Sequence, residues 1–372
     1  MRNTIRLGTI FGIELKLDYS WFFIFLLITW SLAGHYFPGA HPGWSSGAYW
    51  ILAGLTSVLF FGSVVIHELA HSLVSHAFGS RVHAITLFIF GGAAQMSAEP
   101  RRAREELLMA LAGPGASLAL AGLFFVAWRL SLGVAGPLHA VAGWLAWMNL
   151  MLALFNLIPG LPLDGGRVLR AIVWGATGHW RRATIIAAGA GRLIAFGFIF
   201  YGVWQIFSGN WADGLWFAFI GWFLDSAATQ SVRQIAVDDL LAGHTAREAL
   251  LTDCPHVLPR LTLDVVVDQV AHPSGRRCFP VIEDGQLFGL LTLGQIAEVP
   301  RGRWPTTRVV DIMVPLAELK TARPDEALTT ILERMAAEDV NQFPVLDDER
   351  FIGMVSRDAL LNFLRVRAAR AA

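Results

Sequence analysis

The amino-acid sequence predicts a polytopic α-helical membrane protein of about six spans, with a β-hairpin or re-entrant segment, followed by a soluble α/β module. The first observation is charge: 22 of residues 1–232 are Asp, Glu, Lys or Arg, against 36 of residues 233–372. An average soluble domain is about 25% charged, so the first part is too apolar to fold in water. The second is that 13 of the 14 Trp lie in that part, and Trp rings favour the membrane–water boundary. The third is a pattern that occurs twice after residue 238.

Composition excludes several classes of protein. A wholly soluble enzyme, a disordered chain and a basic nucleic-acid-binding protein all disagree with 55% hydrophobic residues and a net charge of zero. The two cysteines, Cys254 and Cys278, exclude a disulfide scaffold and a cysteine zinc cage, and they agree with a reducing compartment. The N-terminal stretch lacks an apolar run that ends in small residues, so no removable signal peptide is expected.

Six apolar segments are candidates for transmembrane helices, which need about 20 residues to cross a bilayer core of roughly 30 Å. They are Tyr19–Tyr36, Trp50–Phe78, Glu105–Leu130, Ala140–Leu157, Ala183–Phe207 and Leu215–Ala228. Arg and Lys precede the first span, lie in the connections after the second and fourth, and follow the sixth, whereas His35–Ala48 and Ser208–Gly214 contain neither. The positive-inside rule therefore predicts a multi-pass protein of the cell membrane with its N-terminus and soluble module in the cytoplasm, and Arg129 is the exception.

Two segments at membrane depth do not fit a simple helix. Val82–Met96 is rich in β-branched residues and interrupted by Gly, which predicts a hairpin or a re-entrant segment. Asn156–Val168 contains two Pro, three Gly and Asp164. Irregular backbone at this depth is tolerated where protein buries it or where it lines a water-filled cavity, so this segment is a candidate functional site.

His67, Glu68 and His71 form an HExxH sequence inside the second predicted span. Positions i and i+4 differ by about 40° around a helix, so both imidazoles can reach one metal ion. Glu68 lies about 100° from His67, where its carboxylate can take a proton from bound water. Ionisable residues in an apolar span are costly unless they bind metal or pair with one another, so a polar cluster inside a transporter is the alternative.

Asp164 is the preferred third ligand, since catalytic zinc takes three protein ligands and leaves one position open. His76 lies about 180° around the helix from His67 and is interpreted as interfacial. A turn-forming Asp before Gly165 is the alternative for Asp164. Asn156 could donate its amide to the oxyanion of a tetrahedral intermediate, or could bond the helix terminus.

Together these motifs resemble those of the site-2 protease family of intramembrane zinc metalloproteases. The resemblance rests on HELAH in a membrane span, FNLIPGLPLDGGR further along the chain, and FGGAAQM and ALAGPGASLAL between them. FGIELKLDYSW also resembles the usual entry of that family into the first span, and the likeness covers roughly residues 7–230.

The resemblance implies a role for each candidate residue. His67, His71 and Asp164 would bind one zinc ion, Glu68 would be the general acid/base, and Asn156 would contact the oxyanion or the substrate. Members of this family cut transmembrane helices near the cytoplasmic leaflet, in regulated intramembrane proteolysis. The predicted hairpin would offer a strand edge to an unwound substrate, or would be structural.

Residues 238–372 contain the repeated pattern: strand, helix, a Phe-Pro-Val strand, an acidic turn, a strand with Gly, and a final helix. Cys278–Val281 aligns with Gln342–Val345, and without a gap Gly289 then falls on Gly353. Two copies that form one pseudo-symmetric module fit better than a solenoid, which needs three or more repeats. The pattern resembles a tandem pair of CBS domains. The predicted domains are a membrane metalloprotease domain (1–232), a first CBS repeat (233–303) and a second CBS repeat (304–372).

Tandem CBS pairs often bind adenine nucleotides through a hydroxyl residue after the strand glycine and an Asp three positions later. Thr292 and Ser356 supply the hydroxyls here, but Gln295 and Ala359 occupy the Asp positions, and Asp358 is one place early. The resemblance therefore leaves two readings open, an adenine-nucleotide site and a module that binds nothing small. A homodimer through the CBS pair is expected.

Two functions from different classes follow. The leading hypothesis is an intramembrane zinc endopeptidase that cleaves transmembrane helices of membrane-protein substrates and is modulated by a cytosolic CBS pair, with no nucleic-acid partner. The alternative is a CBS-regulated transporter or channel whose His/Glu/Asp cluster is an ion pathway. The i, i+4 histidines favour the endopeptidase, since a proton relay does not require that spacing. Glu68 argues against a metal sensor that no longer cuts, because a non-ligating base has little use without hydrolysis.

Overall fold

The computed structural model describes residues 4–80, 82–89, 91–96, 100–132, 136–274, 276–338, 340–348 and 350–371. Its contacts divide the chain into two compact units, Met1–Arg233 and Gln234–Ala372. The first unit contains long helices and a small sheet, and the second contains a sheet with short helices. The predicted domain limits, 1–232, 233–303 and 304–372, stay predictions.

Long apolar helices dominate the first unit. In chain order the helices of this unit, long and short, are α1 (Tyr19–Ser31), α2 (Phe37–Ala40), α3 (Ser46–Ala77), α4 (Ala103–Leu130), α5 (Pro137–Asn156), α6 (Asp164–Thr177), α7 (Trp180–Phe207) and α8 (Trp211–Leu241), the last of which continues into the second unit. A π-helical turn, Leu32–Tyr36, joins α1 to α2.

Five helical segments of the described chain are long and apolar enough to cross a membrane. They are Tyr19–Ala40, Ser46–Ala77, Ala103–Leu130, Pro137–Asn156 and Trp180–Phe207. They cover the first five predicted spans to within a residue at their ends. The sixth predicted span, Leu215–Ala228, lies within α8, where Asp213 and Asp225 lower the hydropathy, and a count of six stays a prediction.

A four-stranded sheet accompanies these helices. Its order is β1 (Thr4–Ile10), β2 (Ile13–Asp18), β3 (Val82–Phe88) and β4 (Gly91–Met96). β3 and β4 are antiparallel, which confirms the predicted hairpin, although Phe90 in its turn lies outside the described residues. The sequence analysis missed the hairpin of β1 and β2. Phe11 and Gly12 turn it with φ values of 51° and 80°, a geometry that Asn-Gly or Asp-Gly usually signals.

The apolar core of the first unit lies between one face of this sheet and helices α1, α3 and α5. Ile13 and Leu17 of β2 are buried on that face, next to residues of β3. The helices contribute the remaining buried side chains, among them Phe37, Phe60, Phe61, Val64 and Leu145. This packing fixes the sheet against α3, the helix that carries the HExxH sequence.

The second unit contains the two predicted copies. The first copy has α9 (Leu263–Val266), α10 (His272–Ser274), β5 (Cys278–Glu283), β6 (Gln286–Thr292) and α11 (Leu293–Glu298). The second has α12 (Val309–Ile312), β7 (Val314–Pro315), α13 (Leu328–Ala337), β8 (Gln342–Asp347), β9 (Arg350–Ser356) and α14 (Arg357–Ala371). The sheet order is β5-β6-β9-β8, and β7 pairs with β6.

The strand ladders of the two copies have the same register. Cys278 pairs with Thr292 in the first ladder, and Gln342 pairs with Ser356 in the second. In both ladders the register shifts directly after the Val of Phe-Pro-Val. This agreement confirms that the motif alignment identified a structural repeat.

Each copy also supplies backbone pairing to the other. β7 of the second copy pairs with β6 of the first, and Leu251 of the first copy bridges Met354 of β9. The acidic turns correspond as well, since Asp284 and Asp348 have φ values of 51° and 47°. The two copies therefore form one pseudo-symmetric module.

The thiol of Cys278 provides a test of this packing. Burial raises its pKa to about 12, because desolvation penalises the thiolate. An ordinary thiol has a pKa near 8.5, so we expect iodoacetamide at pH 8 to modify Cys278 about three orders of magnitude more slowly in the folded protein than in SDS. Mass spectrometry of the labelled peptides measures both rates, and similar rates in the two states would show that Cys278 is not buried.

Candidate metal centre

Helix α3 places two histidines side by side within the apolar first unit. The Ser45 hydroxyl caps the N-terminus of α3, which then runs unbroken for 32 residues. His67 and His71 are one turn apart near its C-terminal end, and both are buried. Their Nε2 atoms lie 3.2 Å apart. His76, predicted to face away from this pair, is exposed.

The irregular segment predicted at membrane depth brings Asp164 to the histidines. α5 ends at Asn156 and α6 begins at Asp164, so residues 157–163 are not helical. Leu161 donates its backbone N–H to the carbonyl of Ala187 over 3.1 Å, which holds the segment against α7. Gly160 and Leu161 of this segment are buried and Pro159 is exposed, so protein covers part of the irregular backbone.

Three lone pairs converge in this cluster. His71 donates its Nδ1–H to the carbonyl of Met109 over 2.6 Å, so a neutral ring presents an unprotonated Nε2. His67 Nδ1 lies 2.9 Å from Ser117 Oγ, and its Nε2 faces the same point. Asp164 Oδ2 lies 3.1 Å from one Nε2 and 3.2 Å from the other. When both Nε2 atoms are unprotonated, the three acceptors repel one another unless a cation lies between them.

The triangle of ligand atoms has the dimensions of a zinc site. Zinc takes nitrogen and oxygen ligands at about 2.0–2.1 Å in tetrahedral geometry, which separates two ligand atoms by about 3.3 Å. Two imidazole nitrogens and one carboxylate oxygen are a donor set of catalytic zinc sites that keep a fourth position open. Among the described residues, His67, His71 and Asp164 form the group that could hold a metal ion, and they fit zinc.

A cavity of about 250 Å³ opens beside the three ligand atoms. Glu68 and Asn156 line it together with Arg167. The rest of the lining comes from α3, β3, β4, the segment before α6 and α8, namely Ser72, Phe88, Gly92, Pro162, Leu163 and Phe223. The structure thus brings all five predicted site residues to one place.

Glu68 borders this cavity next to β4. A Cβ atom on Gly92 would lie 2.7 Å from the carboxyl carbon of Glu68. Glycine at position 92 therefore lets the backbone of β4 pass directly beside the carboxylate. This close approach gives a steric reason for Gly92 in the FGGAAQM motif, which the sequence alone did not provide.

The position of Asn156 is compatible with both alternatives that the sequence left open, and its contact with an oxyanion stays a prediction. It is the last residue of α5, and its Nδ2 donates to the Leu152 carbonyl over 3.0 Å. It also lines the cavity. A side-chain amide has two N–H donors, so this bond leaves a second donor for a substrate oxygen.

Helix α4 packs across the two histidines, and a glycine permits the close approach. A Cβ atom on Gly113 would lie 2.6 Å from His67 Nε2 and closer still to His71 Nε2. Ser117 and Met109, which bond the two Nδ1 atoms, lie one turn to either side of Gly113. One helix therefore fixes the orientation of both rings, as the outer hydrogen bonds of metal-binding histidines do.

A buried ion pair ties α4 to α6, the helix that begins at Asp164. Glu106 on α4 is fully buried, and Arg170 Nε donates to its Oε1 over 2.7 Å, while Nη2 contacts the same oxygen. Arg167 Nε lies 3.8 Å from this oxygen. Removing one partner of a buried pair typically costs about 3–5 kcal/mol, so the pair strongly resists displacement of α6 from α4.

Comparison with known proteins identifies the family. The model of peptidase family M50 matches residues 55–135 and 131–180, and the CBS-domain model matches residues 309–366. A protein of Mycobacterium tuberculosis named as a zinc metalloprotease, Rip3, is 39% identical over 340 residues, which are 90% of this chain and 86% of the relative. The chain belongs to the site-2 protease family, peptidase family M50.

Other members of the site-2 protease family are also similar to this chain. The Synechocystis protein sll0528, named as a zinc metalloprotease, is 35% identical over 373 residues, which are 99% of this chain and 97% of the relative. A solved site-2 protease of Methanocaldococcus jannaschii is 29% identical and aligns with 62% of this chain and 95% of its own, with a TM-score of 0.44. The family match and the relatives Rip3 and sll0528 show that this chain is a zinc metalloprotease, and its apolar helices and CBS-domain match show a multi-pass membrane protein that carries a CBS module.

The sequence analysis of this site-2 protease missed the residues that position the candidate ligands. Ser117 and Gly113 lie within the quoted ALAGPGASLAL motif, but their contacts with the histidines depend on how α4 crosses α3. Glu106 did carry a signal, because a carboxylate next to a long apolar run needs a partner, as Asp164 does. Its partner Arg170 is 64 residues away and was not recognisable from spacing.

Replacing Gly113 by Ala is expected to abolish zinc binding in this site-2 protease. The added methyl group would occupy the space directly beside both Nε2 atoms. Alanine favours a helix by about 1 kcal/mol over glycine, so loss of zinc would not reflect a weaker helix. Zinc per chain, measured by atomic emission on detergent-purified protein, tests this expectation.

Gly115→Ala is the matched control for that substitution. It lies on the same helix, and a Cβ there meets no atom within 4 Å. We expect it to keep the zinc content of the wild type. Full zinc in Gly113→Ala, with normal helix content, would contradict the assignment of the site.

Replacing Glu106 by Gln is expected to weaken zinc binding about tenfold, which is at the low end of what outer contacts contribute to metal affinity. The substitution keeps the side-chain shape but leaves Arg170 without its counter-charge, so α6 and Asp164 lose their fixed position. Chelator competition measures the zinc dissociation constant. Glu105→Gln is the control, because the Glu105 carboxylate contacts the Arg101 N–H and the exposed Arg102 side chain, both near the start of α4 and neither on α6. Equal effects of the two substitutions would show that Glu106 does not position the site.

Proposed function

We propose that this protein is an intramembrane endopeptidase that cleaves transmembrane helices of membrane-protein substrates near the cytoplasmic leaflet, in regulated intramembrane proteolysis. One observation carries the proposal: the His67, His71 and Asp164 ligand atoms, with Glu68 beside them, lie among helices long and apolar enough to span a membrane. A hydrolytic centre in such surroundings meets peptide bonds that are themselves in the membrane.

His67, His71 and Asp164 would hold the zinc ion. When bound, zinc lowers the pKa of a coordinated water to about 7 and polarises a carbonyl group. Glu68 takes the proton from the water whose oxygen attacks the peptide carbon. It then delivers that proton to the amide nitrogen as the carbon–nitrogen bond breaks, so one carboxylate is both general base and general acid.

Asn156 is proposed to stabilise the oxyanion that forms on the carbonyl oxygen. Its Leu152 bond fixes the amide at the edge of the cavity, and the second N–H is available to the substrate. A preorganised donor of this kind typically contributes about 10²–10³ in rate. If Asn156 has only a structural role at the end of α5, replacing it would not lower the cleavage rate by this factor.

Strand β4 is proposed to bind the substrate in an extended conformation. It is the last strand of the sheet, so its outer edge is unpaired within the described residues, and Gly92 brings one face of the strand next to Glu68. A helical substrate must unwind before its carbonyl can be attacked, and strand addition would take up the exposed backbone groups.

The orientation in the cell membrane is proposed from the Arg and Lys of the connections. They lie on the side of the membrane that holds the N-terminus and the CBS module, which is then the cytoplasm. The HExxH sequence lies toward the end of α3 that precedes the Arg-rich connection. Water would therefore reach the site from the cytoplasm.

The CBS module is proposed to form a homodimer and to regulate the protease without a nucleotide held in the usual way. Gln295, at the position of the ribose-binding Asp, accepts from the Thr292 N–H and hydroxyl at 2.8 and 2.9 Å. Its Nε2 donates to the Ile312 carbonyl over 2.9 Å. The side chain is thus committed to capping α11 and to a bond with α12, and Ala359 offers no carboxylate in the other copy.

Zinc content and cleavage together test the proposed protease. We expect about one zinc per chain in the wild type and in Glu68→Gln, but little in His67→Ala and Asp164→Asn, because Glu68 is not a ligand. A fluorescent single-span peptide with a helix-breaking Asn-Pro in its cytoplasmic half is the cleavage probe in proteoliposomes. Only the wild type should cleave it.

Two outcomes would contradict this assignment. Folded wild type without stoichiometric zinc would remove the metal centre and favour the transporter hypothesis. Cleavage by zinc-loaded Glu68→Gln at the wild-type rate would leave the metal centre intact but remove Glu68 as the general base.

A further inference from the structure

The N-terminal hairpin of β1 and β2 has an apolar face and a charged face. Ile5 pairs with Leu17, and Ile10 pairs with Ile13, so the two isoleucines of β1 lie on the same face as two core residues of β2. Directly paired residues share a face because side chains alternate along each strand. The apolar face of β1 therefore continues the face that packs against the helices.

The apolar side chains of β1 extend beyond the protein core. Ile13 and Leu17 of β2 are buried, whereas Ile5 is 40% exposed and Ile10 39%. Leu7, where the register shifts, is 56% exposed, and Phe11 at the tip of the hairpin is 78% exposed. Four large apolar residues of a short edge hairpin thus lie at the surface of the described chain, a feature that marks an interaction surface.

The opposite face of the hairpin is charged. Arg6 pairs with Lys16, and Thr9 pairs with Glu14, on the face away from the core. Glu14 forms ion pairs with Arg6 at 3.1 Å and with Lys16 at 2.9 Å. This face suits water, so the hairpin separates apolar and polar side chains as interfacial elements do.

The hairpin joins directly to an apolar helix of membrane-spanning length. Asp18 is the last residue of β2 and caps α1, since its carboxylate accepts from the Ser20 N–H over 2.9 Å. The apolar segment Tyr19–Ala40 begins at the next residue, and Phe22 and Phe23 in its first turns are exposed. Six residues of β2 place the Phe11 tip roughly 20 Å from α1, within reach of the same membrane boundary.

We propose that the β1–β2 hairpin lies in the surface of the bilayer leaflet from which α1 enters, with Ile5, Ile10 and Phe11 among the lipid acyl chains. Lipid is the occupant because Ile5 of the apolar face pairs with Leu17, one residue before the capping Asp18, and the exposed Phe22 and Phe23 of α1 follow within two turns. The charged face of Arg6, Glu14 and Lys16 then points to water. This inference depends on the membrane placement of α1 and not on the proposed cleavage.

Lipid contact at β1 would also set the depth of the catalytic cavity. The sheet is continuous from β1 through β2 and β3 to β4. β4 passes beside Glu68 at Gly92. If lipid holds the β1–β2 hairpin at a fixed depth in the membrane, the continuous sheet would also fix the depth of β4. β4 is the strand at the opposite edge, where the substrate is proposed to bind.

Site-directed spin labelling tests the proposal on the full-length protein. Cys254→Ser with Cys278→Ser gives a cysteine-free background, since the chain has two cysteines. Single nitroxide labels are then placed at Phe11→Cys and Ile10→Cys, with Thr9→Cys on the opposite face as the matched control. The protein is reconstituted in vesicles of phosphatidylcholine and phosphatidylglycerol, and unchanged zinc content shows that each variant is folded.

Power-saturation EPR compares collisions of each label with oxygen, which concentrates in lipid, and with the water-soluble nickel chelate NiEDDA. We expect the oxygen-to-nickel ratio to be several-fold higher at positions 11 and 10 than at position 9. Equally low ratios at the three positions would show that the apolar face is in water. Protection of positions 10 and 11 from both reagents would show that protein covers them, and either result would overturn the proposal.

Discussion

Repulsion between three buried acceptor atoms is the constraint on which the rest of the first unit depends. His67 Nε2, His71 Nε2 and Asp164 Oδ2 lie 3.1–3.2 Å apart, and when all three are unprotonated these acceptors repel one another unless a cation lies among them. Apolar surroundings strengthen both the repulsion and the attraction to zinc, since the local dielectric constant is low. The surrounding protein must therefore hold the three atoms together against this repulsion. Much of the packing around α3 provides that restraint.

Helix α4 supplies this restraint from a single rigid element. Its Met109 carbonyl and Ser117 hydroxyl fix the two rings, and Glu106 fixes α6 through Arg170. Gly113 lets the helix approach closely enough for these bonds to form. Because the contacts are spaced along one helix, a rotation of α4 would disturb the histidines and α6 together. The candidate ligands thus respond as a unit, although they come from two distant parts of the chain.

Sequence analysis found the features that depend on local spacing or on the cost of burial. The i, i+4 spacing predicted that His67 and His71 share a face, and the cost of an acid at membrane depth selected Asp164. The motif alignment predicted the paired ladders of the CBS module. The β1–β2 hairpin was missed because Phe11 adopts a positive φ that its residue type does not signal. The contacts of Gly113, Ser117 and Arg170 were missed because crossing geometry, not sequence spacing, determines which residues meet.

The position of β4 matters for the proposed hydrolysis of a membrane helix, because the substrate must first unwind. Unwinding a helix in hydrocarbon leaves N–H and C=O groups without partners, and each costs several kcal/mol. An extended segment of a few residues would therefore be too costly if the site offered only a metal and a base. In the proposal, the outer edge of β4 would provide backbone partners near Glu68, and the cavity beside Glu68 would admit water. In the proposed reaction, strand addition is then as necessary as zinc, because it makes the unwound substrate accessible at an acceptable free energy.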